Sequence, residues 1–215
     1  MSARDNILGR IRAARGVGPT VTAAERAAVD DRIAKHPIGV RPAMPWETVP
    51  RFIDQCVRMA STVDRVASVG DVPAAVERYL DGANLGKSAV VWPEIAQLDW
   101  SATGVVVEAR PAAGPDLVGI TGVHLGVAET GTLMFLSGAR TPAATSLLPE
   151  THIAVVPVGR IVRAMEEAWQ QTRDEIGDLP RAVNFVSGPS RTADIEGLLQ
   201  IGAHGPLRVH VIVVG

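Results

Sequence analysis

The chain has 215 residues and a mass of 22.6 kDa, room for one large domain and an appendage at about 150 residues per domain. With 47% hydrophobic residues, 20% charged residues and a formal net charge of -2, it has the usage of a globular chain rather than a disordered one. The balance of 21 basic against 23 acidic residues gives no overall positive field for a phosphate backbone, so nucleic acid is not an expected partner.

The opening MSARDNILGRIRAARG mixes charges with apolar residues and lacks a signal-peptide core. No apolar run approaches the roughly 20 residues of a membrane span, so the expectation is a cytoplasmic protein. Residues 2–36 read as two helices, because Ser2 with Asp5 and Thr22 with Glu25 have capping-box spacing, and Gly16, Gly18 and Pro19 separate them. Their apolar stripes are thin, which predicts an arm that packs on a neighbour or stays mobile. Prolines 37, 42, 45 and 50 then exclude a regular helix and predict an extended connector, with a domain boundary near residue 45. This divides the chain into an arm, 1–45, and a domain, 46–215.

Within that domain, short β-branched runs alternate with helical stretches, the pattern of βαβ units. Helices are predicted at 52–60, 72–80, 160–171 and 192–199. Strands are predicted at 65–69, 89–92, 104–108, 117–127, 132–136, 152–156, 182–186 and 207–214. The fold class is therefore α/β, an open, mixed, largely parallel sheet flanked by helices, with an N-terminal helical arm. Three successive strands without a long helix between them, 104–136, predict some antiparallel pairing.

Three polar segments interrupt this alternation at strand ends, where open α/β sheets place ligands. In Glu129-Thr130-Gly131-Thr132 a carboxylate sits in a tight turn between hydroxyls, as nucleophile, base or acceptor, or else as part of an ordinary turn. In Ser187-Gly188-Pro189-Ser190-Arg191, followed by Asp194, a strand leads into the helix predicted at 192–199. Free N–H groups there, with the Arg191 fork, would bind a small carboxylate or another anion, or would simply cap the helix. His204, between glycines, could shuttle a proton or serve the turn. Other chemistries lack their patterns. The histidines 36, 124, 152, 204 and 210 have no metal-site spacing, so no metal is expected. No G-x-S-x-G elbow occurs, Asp81 stands where a P-loop ending in Gly86-Lys87-Ser88 needs glycine, and no G-x-G-x-x-G follows a strand. The single cysteine, Cys56, can hold neither a disulfide, an iron–sulfur cluster nor a structural zinc by itself.

Taken in order, AETGT, SLLPETHIAVV, FVSGPSRTADIE and GAHGP followed by RVHVIVVG resemble the signature of the lactate-utilisation (LUD) domain family, over about residues 45–215. The resemblance implies a fold like that of ribose-5-phosphate isomerases and CoA transferases. It also implies a non-redox role beside two iron–sulfur partner proteins that oxidise L-lactate to pyruvate, with the clusters in those partners and no cofactor on this chain. A homo-oligomer is compatible with it. Glu129 and His204 are the candidate catalytic groups. Thr130, Gly131, Thr132, Ser187, Gly188, Ser190, Arg191 and Asp194 are the candidate substrate or anion contacts. Two rival readings stay open: a self-sufficient acyl or CoA transferase or sugar-phosphate isomerase using Glu129, and a scaffold without a small-molecule site.

Overall fold

The computed structural model describes residues 2–16, 21–193 and 197–215. The chain divides into a first unit ending at Met44 and a second, Pro45–Gly215. In the first unit, α1 (Ala3–Arg15) and α2 (Ala23–Lys35) have the capping boxes read from the sequence. The Asp5 N–H donates to Ser2 Oγ at 3.2 Å while the Ser2 N–H donates to Asp5 at 3.0 Å, and Thr22 and Glu25 repeat the exchange. Both helices end in left-handed residues, Gly16 and His36, and neither buries a side chain. Local capping, rather than a core, defines them.

The second unit begins with α3 (Thr48–Arg58), β1 (Thr62–Val66), α4 (Val72–Gly82), β2 (Ser88–Val91), α5 (Pro93–Ala96) and β3 (Val106–Glu108). It continues through β4 (Val118–Thr121), β5 (Leu125–Val127), β6 (Thr132–Leu136), α6 (Ala144–Leu147), β7 (Thr151–Pro157), β8 (Ile161–Val162), α7 (Met165–Ile176) and β9 (Val183–Val186). A short ribbon, β10 (Arg191–Thr192) with β11 (Gln200–Ile201), precedes β12 (Arg208–Val214). Six strands form one sheet in the order β1-β12-β7-β4-β2-β3, and every pairing in it is parallel. Its middle strands read THIAVVP and RVHVIVV and are buried almost end to end, as expected where helices cover both faces of a parallel sheet. Phe52, Leu80, Ile120, Ile153 and Ile212 anchor the main core.

Apart from the β10–β11 ribbon, antiparallel pairing among the described residues lies in a second sheet, β8-β5-β6-β9. The single strand expected at 117–127 is therefore two strands in different sheets, with Gly122, Val123 and His124 crossing between them. A smaller core of Leu125, Val127, Met134 and Ala168 lies between this second sheet and α7.

Helix α3 ends in a Schellman turn. Ser61 N–H donates to the Cys56 carbonyl at 2.9 Å and Ala60 N–H to that of Val57 at 2.9 Å, which places Ala60 at φ +65°. An alanine Cβ is strained in that conformation and glycine is not. Ala60→Gly is expected to raise stability by about 0.5–1 kcal/mol in urea unfolding, the gain from relieved strain exceeding the entropy cost of glycine. A lowered midpoint at unchanged slope would contradict this.

Candidate functional site

Strand β5 turns into β6 through Ala128, Glu129, Thr130 and Gly131. The turn is tied to the strand beside it, since Ala128 N–H donates to the Val162 carbonyl at 2.8 Å and Glu129 N–H to that of Arg163 at 2.9 Å. The Arg163 guanidinium lies over the Trp46 ring, 4.7 Å from its centroid, and donates to the Trp46 carbonyl at 3.2 Å. Glu129 is half-buried, with its backbone held in place by this arrangement.

From the same turn a chain of hydroxyls leads to the next motif. Thr130 Oγ1 lies 2.7 Å from Thr132 Oγ1, which lies 2.6 Å from Ser187 Oγ. The register explains the second contact: Leu133 pairs with Val186, so Thr132 and Ser187 are the next cross-strand pair on the β6–β9 ladder. The third motif joins the second through the backbone, with Ser190 N–H donating to the Pro206 carbonyl and Gly202 N–H to that of Ser190, both at 2.9 Å. Ser187, Gly188, Ser190, Arg191 and His204 line one groove of about 280 Å³, together with Leu147, Phe185 and Val186. The three sequence motifs are thus linked by hydrogen bonds, while Glu129, Thr130, Gly131 and Thr132 do not line the groove. The groove lies beside the amino ends of β7 and β12, into which Leu147 and Pro206 lead.

The helix expected at 192–199 is not formed at its described residues. Arg191 and Thr192 pair with Ile201 and Gln200 in the antiparallel ribbon, so Ser190 and Thr192 cap no helix there and the helix-terminus argument for anion binding falls. Backbone pairing between residues flanking Gly197, at φ +68°, has prevailed over local helical pattern. Asp194 lies outside the described residues.

The last turn of α3 underlies both glycine turns, a feature that no local sequence signal marks. Gly131, at φ +65°, packs so closely that a Cβ there would come within 2.6 Å of the Cys56 nitrogen. Gly188, at φ +74°, packs equally tightly on the Met59 carbonyl. Its lack of a side chain thus lets it approach the protein's own backbone. Arg191 Nη2 donates to the same Met59 carbonyl at 3.0 Å, satisfying one of the acceptors a helix end leaves open. Cys56 is buried beneath, its thiol donating to the Gly131 carbonyl at 3.7 Å, and burial pushes its pKa up to about 12. It is a packing group rather than a nucleophile.

Among the described residues, no group of three or more His, Cys, Asp or Glu side chains could hold a metal ion. His152 and His210 are consumed by the sheet, where each meets one threonine hydroxyl, Thr121 at 2.9 Å and Thr62 at 2.8 Å.

A family profile described as the LUD domain matches residues 49–214. The chain belongs to the LUD domain family. Lactate utilization protein C of Shouchella clausii is 32% identical over 188 residues, 78% of this chain and 79% of that protein. The protein of that name from Geobacillus kaustophilus is 34% identical over 162 residues, 70% and 65% of the two chains. With the Bacillus subtilis protein of that name the identity is 40% over 100 residues, 45% of this chain and 42% of the relative, so that match spans less than half of it. A DUF162 family protein from Deinococcus radiodurans has the same fold, with a TM-score of 0.58 and 24% identity over 81% of this chain and 100% of that one. All three motifs lie inside the LUD domain. Among the described residues, no helix is long and apolar enough to cross a membrane.

Proposed function

We propose that this chain is the non-redox component of a lactate-utilisation system, acting in the cytoplasm beside two iron–sulfur proteins in the oxidation of L-lactate to pyruvate. The supporting observation is its 32% identity to lactate utilization protein C of Shouchella clausii across most of both chains. That oxidation removes a pair of electrons and a pair of protons from the substrate. Cys56 is the chain's one cysteine and is buried and protonated, so the electron-carrying centres in this reading belong to the partners.

What this chain supplies is substrate handling. Glu129 and His204 are the proton-accepting groups, and Thr130, Gly131, Thr132, Ser187, Gly188, Ser190 and Arg191 make up the surrounding contacts. The hydroxyl chain from Thr130 to Ser187 connects the Glu129 turn with the groove that His204 lines.

Co-expression with the two iron–sulfur candidates, with and without this chain, tests the reading through the rate of lactate-dependent electron transfer. Oxidation is expected only when all three are present, and equal rates without this chain would end the proposal. Exchange of acyl groups between CoA thioesters and free carboxylates by the chain alone, at enzymatic rates, would replace it with a transferase using Glu129.

A further inference from the structure

Among the described residues, two grooves beside the amino ends of the parallel strands differ in charge. The first, about 220 Å³, is lined by Lys87, Asp116, Glu150 and Arg208. Its charges are already matched: Lys87 contacts Glu77 and Asp81 at 2.9 Å each, Arg110 holds Asp116 at 2.6 Å, and Glu150 faces Arg208 at 4.0 Å. Among the described residues, the second, between Ser187–Arg191 and His204–Pro206, is lined by no carboxylate. It presents a guanidinium, an imidazole and two hydroxyls. In a chain whose formal net charge is -2, a concave surface that presents a guanidinium beside hydroxyl donors favours an anion.

We infer that this groove is a recognition site for a small carboxylate monoanion, with Arg191 as the charged contact and Ser187, Ser190 and His204 as neighbouring hydrogen-bonding groups. Arg191 is held from behind, because one guanidinium nitrogen is engaged by the Met59 carbonyl at the end of α3. Anchoring one edge of the planar group limits the rotamer freedom that an exposed arginine would lose on binding, and leaves the fork geometry to match a carboxylate. A phosphate dianion fits less well. One guanidinium matches one negative charge, and the Ser190 and Gly202 N–H groups, which a phosphate cradle would need, are spent on the Pro206 and Ser190 carbonyls. Leu147 in the groove lining gives the apolar end of a short acid a side chain to cover.

The choice of lactate as the first probe rests on the proposed function, whereas the carboxylate site stands on the groove alone. Calorimetric or NMR titration of the full chain with L-lactate, acetate and inorganic phosphate distinguishes the two. Millimolar binding of the carboxylates is expected, with phosphate weaker. Arg191→Ala should weaken carboxylate binding at least tenfold, with Arg191→Lys recovering only part of the loss. Because Arg191 also caps α3, Ser190→Ala serves as a second variant that spares the Met59 contact, and should weaken binding several-fold without moving the melting temperature. Equal carboxylate affinity in folded wild type and Arg191→Ala overturns the site, as does tighter binding of phosphate. Arg191-dependent binding of acetate and lactate alike supports the site, whatever the lactate-oxidation assay gives. Lactate oxidation that needs this chain, without carboxylate binding to it, leaves the function standing and removes this inference.

Discussion

Acidification from pH 7 to about pH 4.5 is expected to destabilise the domain by several kcal/mol, with His152 and His210 as the main cause. Burial lowers the pKa of His152 from 6.5 to about 3, and burial, with the opposed effects of Asp64 and Arg78, lowers that of His210 to about 4. A histidine of this kind is protonated in the unfolded chain before the folded one. Stability is therefore complete above the unfolded value near 6.5 and is lost as the pH falls toward the folded values. Over that interval each histidine contributes a loss of about 2–3 kcal/mol. Half-buried His124, lowered by burial and by Arg160, adds in the same direction. Asp116 and Glu175, each held near 2 by hydrogen bonds from Arg110 and Arg160 respectively, lose their stabilisation only below the ordinary carboxylate range. The two windows are separable in urea unfolding at a series of pH values. His152→Gln keeps a hydrogen-bonding group where Nε2 meets Thr121, and His210→Asn keeps one where Nδ1 meets Thr62. Together they should flatten the slope between pH 6.5 and 4.5. Equal unfolding free energies of the wild type at pH 7 and 4.5 would contradict the assignment.

Legibility in the sequence followed the range of the interactions. Ser2–Asp5 and Thr22–Glu25 are contacts three residues apart, and both capping boxes are read correctly. Near-continuous apolar runs in THIAVV and RVHVIVV mark the central strands, because a strand buried on both faces has little choice of residue. The segment 117–127 is apolar but for Thr121 and His124, and periodicity gives no sign that it crosses from one sheet to another at Gly122. Residues 192–199 carry a helical pattern, yet Arg191 and Thr192 find backbone partners at Ile201 and Gln200. The candidate site divides in the same way. Its side-chain types are visible as ordered polar motifs. Its support from α3 is a set of backbone contacts between residues 132 positions apart in the Met59–Arg191 case. Trp46 beneath Arg163, 117 positions away, is hidden for the same reason.

The largest effect of a single added methyl group is expected at the junction of α3 with the motif turns. Gly188→Ala would place a Cβ inside the van der Waals radius of the Met59 carbonyl oxygen, at a residue whose φ is +74°. Neither penalty has an easy escape, because the obstructing atom is backbone at a helix end already fixed by the Schellman turn and by Arg191. Left-handed strain and overpacking together predict a loss of roughly 2–5 kcal/mol. Gly86→Ala, where an added Cβ meets nothing within 4 Å, is the control and should stay within about 0.5 kcal/mol of wild type. Gly131→Ala presses on the same helix turn one step earlier, at Gln55 and Cys56. Displacing the end of α3 to admit one methyl group relieves the other, so the double variant should lose less than the two single variants together. Simple additivity in urea unfolding would show that the two glycines do not share α3 as a common seat. Wild-type stability of Gly188→Ala would show that Met59 is free to move, and with it the anchor that holds Arg191 toward the groove.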